Sequence, residues 1–87
     1  MSDLKKKFEA AAKDSKQLKT RPADEDMLRL YALYKQASVG NATGERPGAF
    51  DFVNRAKYDA WARLEGTDTD KAMKSYVDLV ERLKKLG

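Results

Sequence analysis

Cysteine and histidine are both absent from the 87 residues, tryptophan occurs once and proline twice. The missing thiols and imidazoles exclude disulfides, thiolate or imidazole metal sites, cysteine nucleophiles and the usual general base for a serine. Long hydrophobic runs are missing too. The longest, Leu30 to Tyr34, is five residues, whereas a membrane span needs about 20 and a signal-peptide core about 7 to 15. With Met1 followed by no Arg/Ser-rich leader, the expectation is a soluble, cytoplasmic protein.

Charge is what the chain has in abundance. Charged residues make up 37% and hydrophobic residues 41%, against roughly 25% charged in an average globular protein. A core must therefore come from narrow apolar stripes, which favours helices, and the length predicts one domain spanning residues 1–87. The net charge is +4 and unevenly spread. Residues 1–21 carry seven cations and three anions, residues 22–51 three and five, and residues 52–87 eight and six. Basic ends flank an acidic middle.

The punctuation residues divide the chain into four helical patterns, an all-α class. In the first, Leu4, Phe8, Ala11, Ala12, Ser15 and Leu18 share an arc, with Ser2 or Asp3 as N-cap and Pro22 as the stop. The second opens on Asp24, Glu25 and Asp26, where carboxylates suit the free N–H groups, and ends at Gly40. Its stripe reads Met27, Leu30, Tyr31, Tyr34 and Ala37. A loop with Gly40, Gly44, Pro47 and Gly48 leads to a third helix from Phe52 to Leu64, stopped by Gly66. Thr67 and Asp70 form a capping-box-like start to the fourth. Its apolar arc holds Ala72, Met73, Tyr76, Val77, Leu79, Val80, Leu83 and Leu86.

Charges inside a stripe are the informative departures. Counting about 100° per residue, Lys57 falls between Leu64 and Trp61, on the arc of Val53, Ala56 and Ala60. An ammonium there either snorkels to the rim or meets an anion. Lys35 shares a shoulder of the second helix with Leu28 and Tyr31, beside Tyr34. Phenols next to an ammonium offer a stacking face, a hydroxyl and a positive charge, which suits a phosphorylated purine; core tyrosines with solvated hydroxyls are the plainer reading. Tyr76, at helical spacing, is open to the same two readings.

Other signals carry less. The glycines at 40, 44 and 48 follow no strand and lack the spacing of a phosphate-binding loop. Lys5, Lys6 and Lys7 point three ways from the first helix. No acid–base pair and no nucleophile with a partner can be assembled, so most enzyme mechanisms lack their principal actors.

The blocks K-T-R-P-A-D-E-D (Lys19–Asp26), M-L-R-L-Y-A-L-Y-K-Q-A-S-V-G (Met27–Gly40), E-R-P-G (Glu45–Gly48), A-K-Y-D-A-W (Ala56–Trp61), Gly66-Thr67 and A-M-K-S-Y (Ala72–Tyr76) occur in order along the chain. Together they closely resemble the acyl-coenzyme A binding proteins. The resemblance implies a four-helix bundle of up, down, down, up type that holds medium- to long-chain acyl-CoA thioesters in a shallow bowl, as an intracellular carrier and pool former. It further implies a monomer with no cofactor, meeting acyl-CoA-using enzymes and membranes transiently and no nucleic acid. Carried onto matching positions, Tyr31, Lys35 and Lys57 would meet the adenine and the ribose 3′-phosphate, with Tyr34 and Tyr76 helping to bind the nucleotide and pantetheine. Arg21, Lys16, Ala12, Met27 and Leu28 fall where the family contacts phosphate or the acyl chain. Arg21 stands where lysine is frequent, and Tyr58 where tryptophan is common. The competing expectation is a basic helical module for protein or nucleic acid, although acidic residues interrupt every basic stretch.

Overall fold

A computed structural model describes residues 3–86 of the chain. Among them are four helices: α1 Asp3–Ser15, α2 Asp24–Ser38, α3 Phe52–Ala62 and α4 Thr69–Leu86. The Cα envelope measures 36 × 31 × 15 Å, so the bundle is a flat slab about two helix layers thick.

Pairwise contacts give the direction of each helix. Phe8 in the middle of α1 meets Tyr76, and Asp14 at its end pairs with Lys84, further along α4, so α1 and α4 run parallel. Gln36 near the end of α2 bonds Thr67 just before α4, while Tyr34 meets Tyr76, so these two are antiparallel. Lys57 sits over Tyr31 and Lys35 over Trp61, which makes α2 and α3 parallel. The result is the expected up-down-down-up bundle.

The core is built by three of the four helices. Phe8 and Ala11 of α1, Leu30, Leu33 and Ala37 of α2, and Ala72, Tyr76, Leu79, Val80 and Leu83 of α4 form one buried cluster. The main helix contacts are α2 with α4, α1 with α4, and α2 with α3. Helix α3 adds no member to that cluster, and its buried side chain is Trp61. The Trp61 indole N–H donates to the Gly40 carbonyl at 2.7 Å. Gly40, at φ 98°, takes the left-handed turn that ends α2, its N–H reaching the Lys35 and Gln36 carbonyls. The loop before α3 is tied down by Arg46, which grips both oxygens of Asp59 at 2.7 Å, and by the Tyr58 hydroxyl donating to the Gly44 carbonyl.

Several sequence expectations need correction. On α2 the buried arc is Leu30, Ala32, Leu33, Gln36 and Ala37; Met27 and Tyr34 are 40% and 43% exposed. The helix serves neighbours on two sides, so tertiary packing, not the largest side chains, picks the buried face. Val53 and Leu86, placed on apolar arcs, are exposed at helix ends where no element covers them. Helix α3 stops at Ala62, two residues short, because residues 63–66 close into turns. The capping box does not form: α4 begins at Thr69, the Ala72 N–H bonds Asp68, and the Thr67 carbonyl is taken by Gln36. Asp3 is already helical, and Ser2 lies outside the described residues.

Candidate functional site

The five candidates on α2 share one face. Counting about 100° per residue, Tyr34, Met27, Tyr31, Lys35 and Leu28 span an arc of about 120° adjacent to the buried one. That arc is partly open to solvent, with Tyr31, Lys35 and Leu28 half-buried. The α2 sequence thus has two apolar faces. One meets α4, and the other is a surface of aromatic rings, a thioether and an ammonium.

Helix α3 completes this surface by crossing charges with α2. The Lys35 ammonium lies 4.8 Å from the centre of the Trp61 ring. The Lys57 ammonium lies 5.4 Å from the centre of Tyr31. Both distances are within the range of a cation–π contact. Because Tyr31 and Lys35 are one turn apart on α2, as are Lys57 and Trp61 on α3, the parallel helices form two successive rungs, about 6 Å apart along the axis. Among the described residues neither lysine has a carboxylate within ion-pair distance, although Arg21, Arg29, Arg46 and Lys84 all do. Two uncompensated cations are therefore held beside two aromatic faces.

Tyr34 connects this surface to α1. Its ring stacks on Phe8 with centres 5.4 Å apart and meets the edge of Tyr76 at 6.0 Å, while Phe8 and Tyr76 pack at 5.2 Å. Tyr76 lies beneath, 4% exposed, and its hydroxyl donates to Ser15 Oγ, which donates to the Ala12 carbonyl. Burial raises the Tyr76 phenol above its ordinary value, and the Ser15 bond only partly opposes this. Ala12 is half-buried against the core. Lys16 is exposed in the turn after α1.

Among the candidates, Arg21, Lys16 and Ala12 have no contact with the rungs; for Arg21 the reason is a competing partner. Its guanidinium is spent on Asp24 at 3.2 Å, in a largely exposed pair. A depression of about 280 Å³ where α1 and α4 end is lined by Asp14, Gln17, Leu18, Lys19, Leu83 and Lys84; it includes none of the candidates.

Sequence reading missed three supports. Phe8 was assigned only to the core, yet it backs Tyr34. Trp61 faces Lys35, a contact that needs the parallel register of α2 and α3 and leaves no local signal. Gln36, 1% exposed, donates to Asn41 Oδ1 and the Thr67 carbonyl, while Asn41 Oδ1 also accepts the Gly66 N–H. This clasp joins the end of α2 to the start of α4, and so fixes the height of Lys35 against the bundle. The one signal for it was a polar residue at a core position.

Comparison with known proteins matches residues 5–80 to the family described as Acyl CoA binding protein. An acyl-CoA-binding protein of Brassica napus is 50% identical over 80 residues, covering 92% of this chain and 87% of the relative. An enoyl-CoA delta isomerase 2 of Rattus norvegicus is 53% identical over 76 residues, covering 87% of this chain and 19% of that enzyme. The crystal structure of Oryza sativa acyl-CoA-binding protein 2 superposes with a TM-score of 0.90 at 42% identity, covering 95% of this chain and 92% of that one.

Proposed function

For this chain, which belongs to the acyl CoA binding protein family, we propose that it binds fatty acyl-CoA thioesters and acts as an intracellular carrier that keeps a pool of them available. The observation that carries the reading is the pair of rungs, Lys35 over Trp61 and Lys57 over Tyr31, two cations without carboxylate partners on an aromatic floor. Coenzyme A carries a 3′-phosphomonoester and a pyrophosphate, about −3.5 to −4 in charge at neutral pH. A planar adenine suits the Tyr31 face, and the phosphates suit the ammonium groups. A charge-assisted hydrogen bond of this kind contributes on the order of 1.5 to 3 kcal/mol.

Each part of the surface then has a role. Tyr31, Lys35 and Lys57 hold the adenine and the 3′-phosphate. Tyr34 flanks the nucleotide and pantetheine, supported from below by Phe8 and by Tyr76, whose hydroxyl ties α4 to α1. Lys16 and Arg21 approach phosphate oxygens, Arg21 by exchanging Asp24 for the ligand. Met27, Leu28 and Ala12 shelter the first part of the acyl chain. Medium- to long-chain thioesters are the natural cargo, the chain acts as a monomer and one binding unit in the cytoplasm, and it performs no chemistry on the ligand.

Burying each methylene is worth about 0.8 kcal/mol in protein or bilayer alike, so the acyl chain alone gives the protein no advantage over a membrane. The head-group contacts must supply it, because a lipid surface offers no fixed cations beside aromatic faces. Titration calorimetry with palmitoyl-CoA, CoA, free palmitate and an oligonucleotide tests the reading. Tight binding of the thioester, weak binding of CoA and no response to the other two is the expected result; equal affinity for palmitate contradicts it.

A further inference from the structure

The two rungs are not equivalent. Trp61 is 6% exposed, so the indole beside Lys35 offers a ligand no free face. Tyr31 is half-buried. Tyr34, Tyr58 and Tyr76 each pack against another aromatic ring, whereas among the described residues Tyr31 has the Lys57 ammonium in that place, 5.4 Å from its centre. Resting on the reading of this surface as a nucleotide site, we propose that Lys57 is a displaceable cover. In the ligand-free chain it occupies the Tyr31 face on which adenine stacks, and a ligand clears that face without loss when it brings a phosphate for the ammonium. Lys57 thus selects against adenine ligands that lack the 3′-phosphate, besides attracting those that carry it.

The relative strengths of the contacts set the sign of the effect. Among the described residues Lys57 has no carboxylate within ion-pair distance, so the contact with Tyr31 is what holds its ammonium. A cation–π contact open to solvent corresponds to about two- to fivefold in an equilibrium constant. A charge-assisted hydrogen bond to phosphate corresponds to about tenfold to a hundredfold. A 3′-phosphate therefore draws the ammonium off the ring with a net gain, and the flexible four-carbon stem lets it move without moving α3. An adenine that arrives without this phosphate must displace the ammonium and leave it with no replacement partner. Lys57 and the base are then antagonists, and the 3′-phosphate turns the antagonism into cooperation. A lysine that did no more than contact the phosphate would be silent toward a ligand lacking it, and this difference separates the two roles.

Calorimetry of the full chain with 3′-dephospho-palmitoyl-CoA, in a double-mutant cycle of Lys57→Met and Tyr31→Leu, tests the cover directly. Lys57→Met keeps an unbranched stem and should bind this ligand about two- to fivefold more tightly than the parent does, while binding palmitoyl-CoA more weakly. In the Tyr31→Leu background the gain should vanish, because no ring is left to uncover. A second measurement needs no ligand and no affinity. In the proton NMR spectrum of the free chain the Lys57 ε-methylene should be shifted upfield by the Tyr31 ring current, Tyr31→Leu should return it to the position of the exposed lysines, and saturating palmitoyl-CoA should move it off the ring. Dephospho-ligand affinity of Lys57→Met equal to or below that of the parent overturns the proposal. So does a gain that persists without Tyr31, or a Lys57 ε-methylene that the ring does not shift. Failure of the carrier reading looks different: the parent then binds palmitoyl-CoA no more tightly than free palmitate, and the cover falls with it.

Discussion

Lys57 of α3 and Tyr31 of α2 face one another with the ammonium 5.4 Å from the ring centre, one helical turn from the matching pair of Lys35 and Trp61 at 4.8 Å. Each helix gives one cation and receives one. Helix α3, which adds nothing to the main core cluster, is thus fastened to α2 through the same side chains that are proposed to meet the ligand. On that proposal, occupation of the site and the seating of α3 are coupled.

That coupling makes the single tryptophan a reporter. Saturation with palmitoyl-CoA draws the Lys35 charge toward the ligand and should change Trp61 emission, and Lys35→Met should remove most of the change. Fluorescence titration of the two proteins checks this. An emission spectrum unmoved by saturating ligand would mean that Lys35 stays on the indole.

Tyr76 and Tyr34 touch each other yet should behave oppositely on truncation. Tyr76→Ala empties a core position and should cost about 3 to 5 kcal/mol of stability. Tyr34→Ala, on a ring 43% exposed, should cost about 1 kcal/mol while weakening ligand binding. Denaturant melts and calorimetry separate the two effects.

The Tyr76 phenol is raised by burial, so the folded state holds this proton more tightly than the unfolded chain does. Its contribution is present below the ordinary phenol value of about 10 and is lost as pH rises through the folded one. Absorbance titration at about 295 nm, the phenolate band, should include a late-ionising phenol that Tyr76→Phe removes.

Asp59 is held below its ordinary carboxylate value chiefly by its bond to Arg46, with desolvation opposing and the charges of Arg46, Arg55 and Arg63 adding to the effect. A depressed carboxylate contributes stability above its unfolded value and loses it as pH falls through the folded one. Asp59→Asn should therefore lower Tm by a constant amount above about pH 5, and the difference should shrink as pH falls below the ordinary carboxylate value and through the lower folded one. Melts across that range are the check.

The four helices and their order were legible because Pro22, Gly40, Gly66 and the acidic opening of α2 punctuate the chain strongly. Lys57 was legible because an ammonium on an apolar arc is conspicuous. The face of α2 was misread for a physical reason: an aromatic arc and an aliphatic arc adjoin, and hydrophobicity alone cannot say which one α4 takes. Neither rung could be read locally, since each depends on the parallel register of helices joined by a long loop.

The most direct test of the account is a calorimetric cycle in which parent and Lys57→Ala each bind palmitoyl-CoA and its 3′-dephospho analogue. A cation that meets the 3′-phosphate predicts that Lys57→Ala loses about tenfold to a hundredfold for palmitoyl-CoA and little for the dephospho ligand. Equal losses for both ligands would contradict the assignment of Lys57 to the phosphate, and with it the reading of the rungs as the nucleotide site.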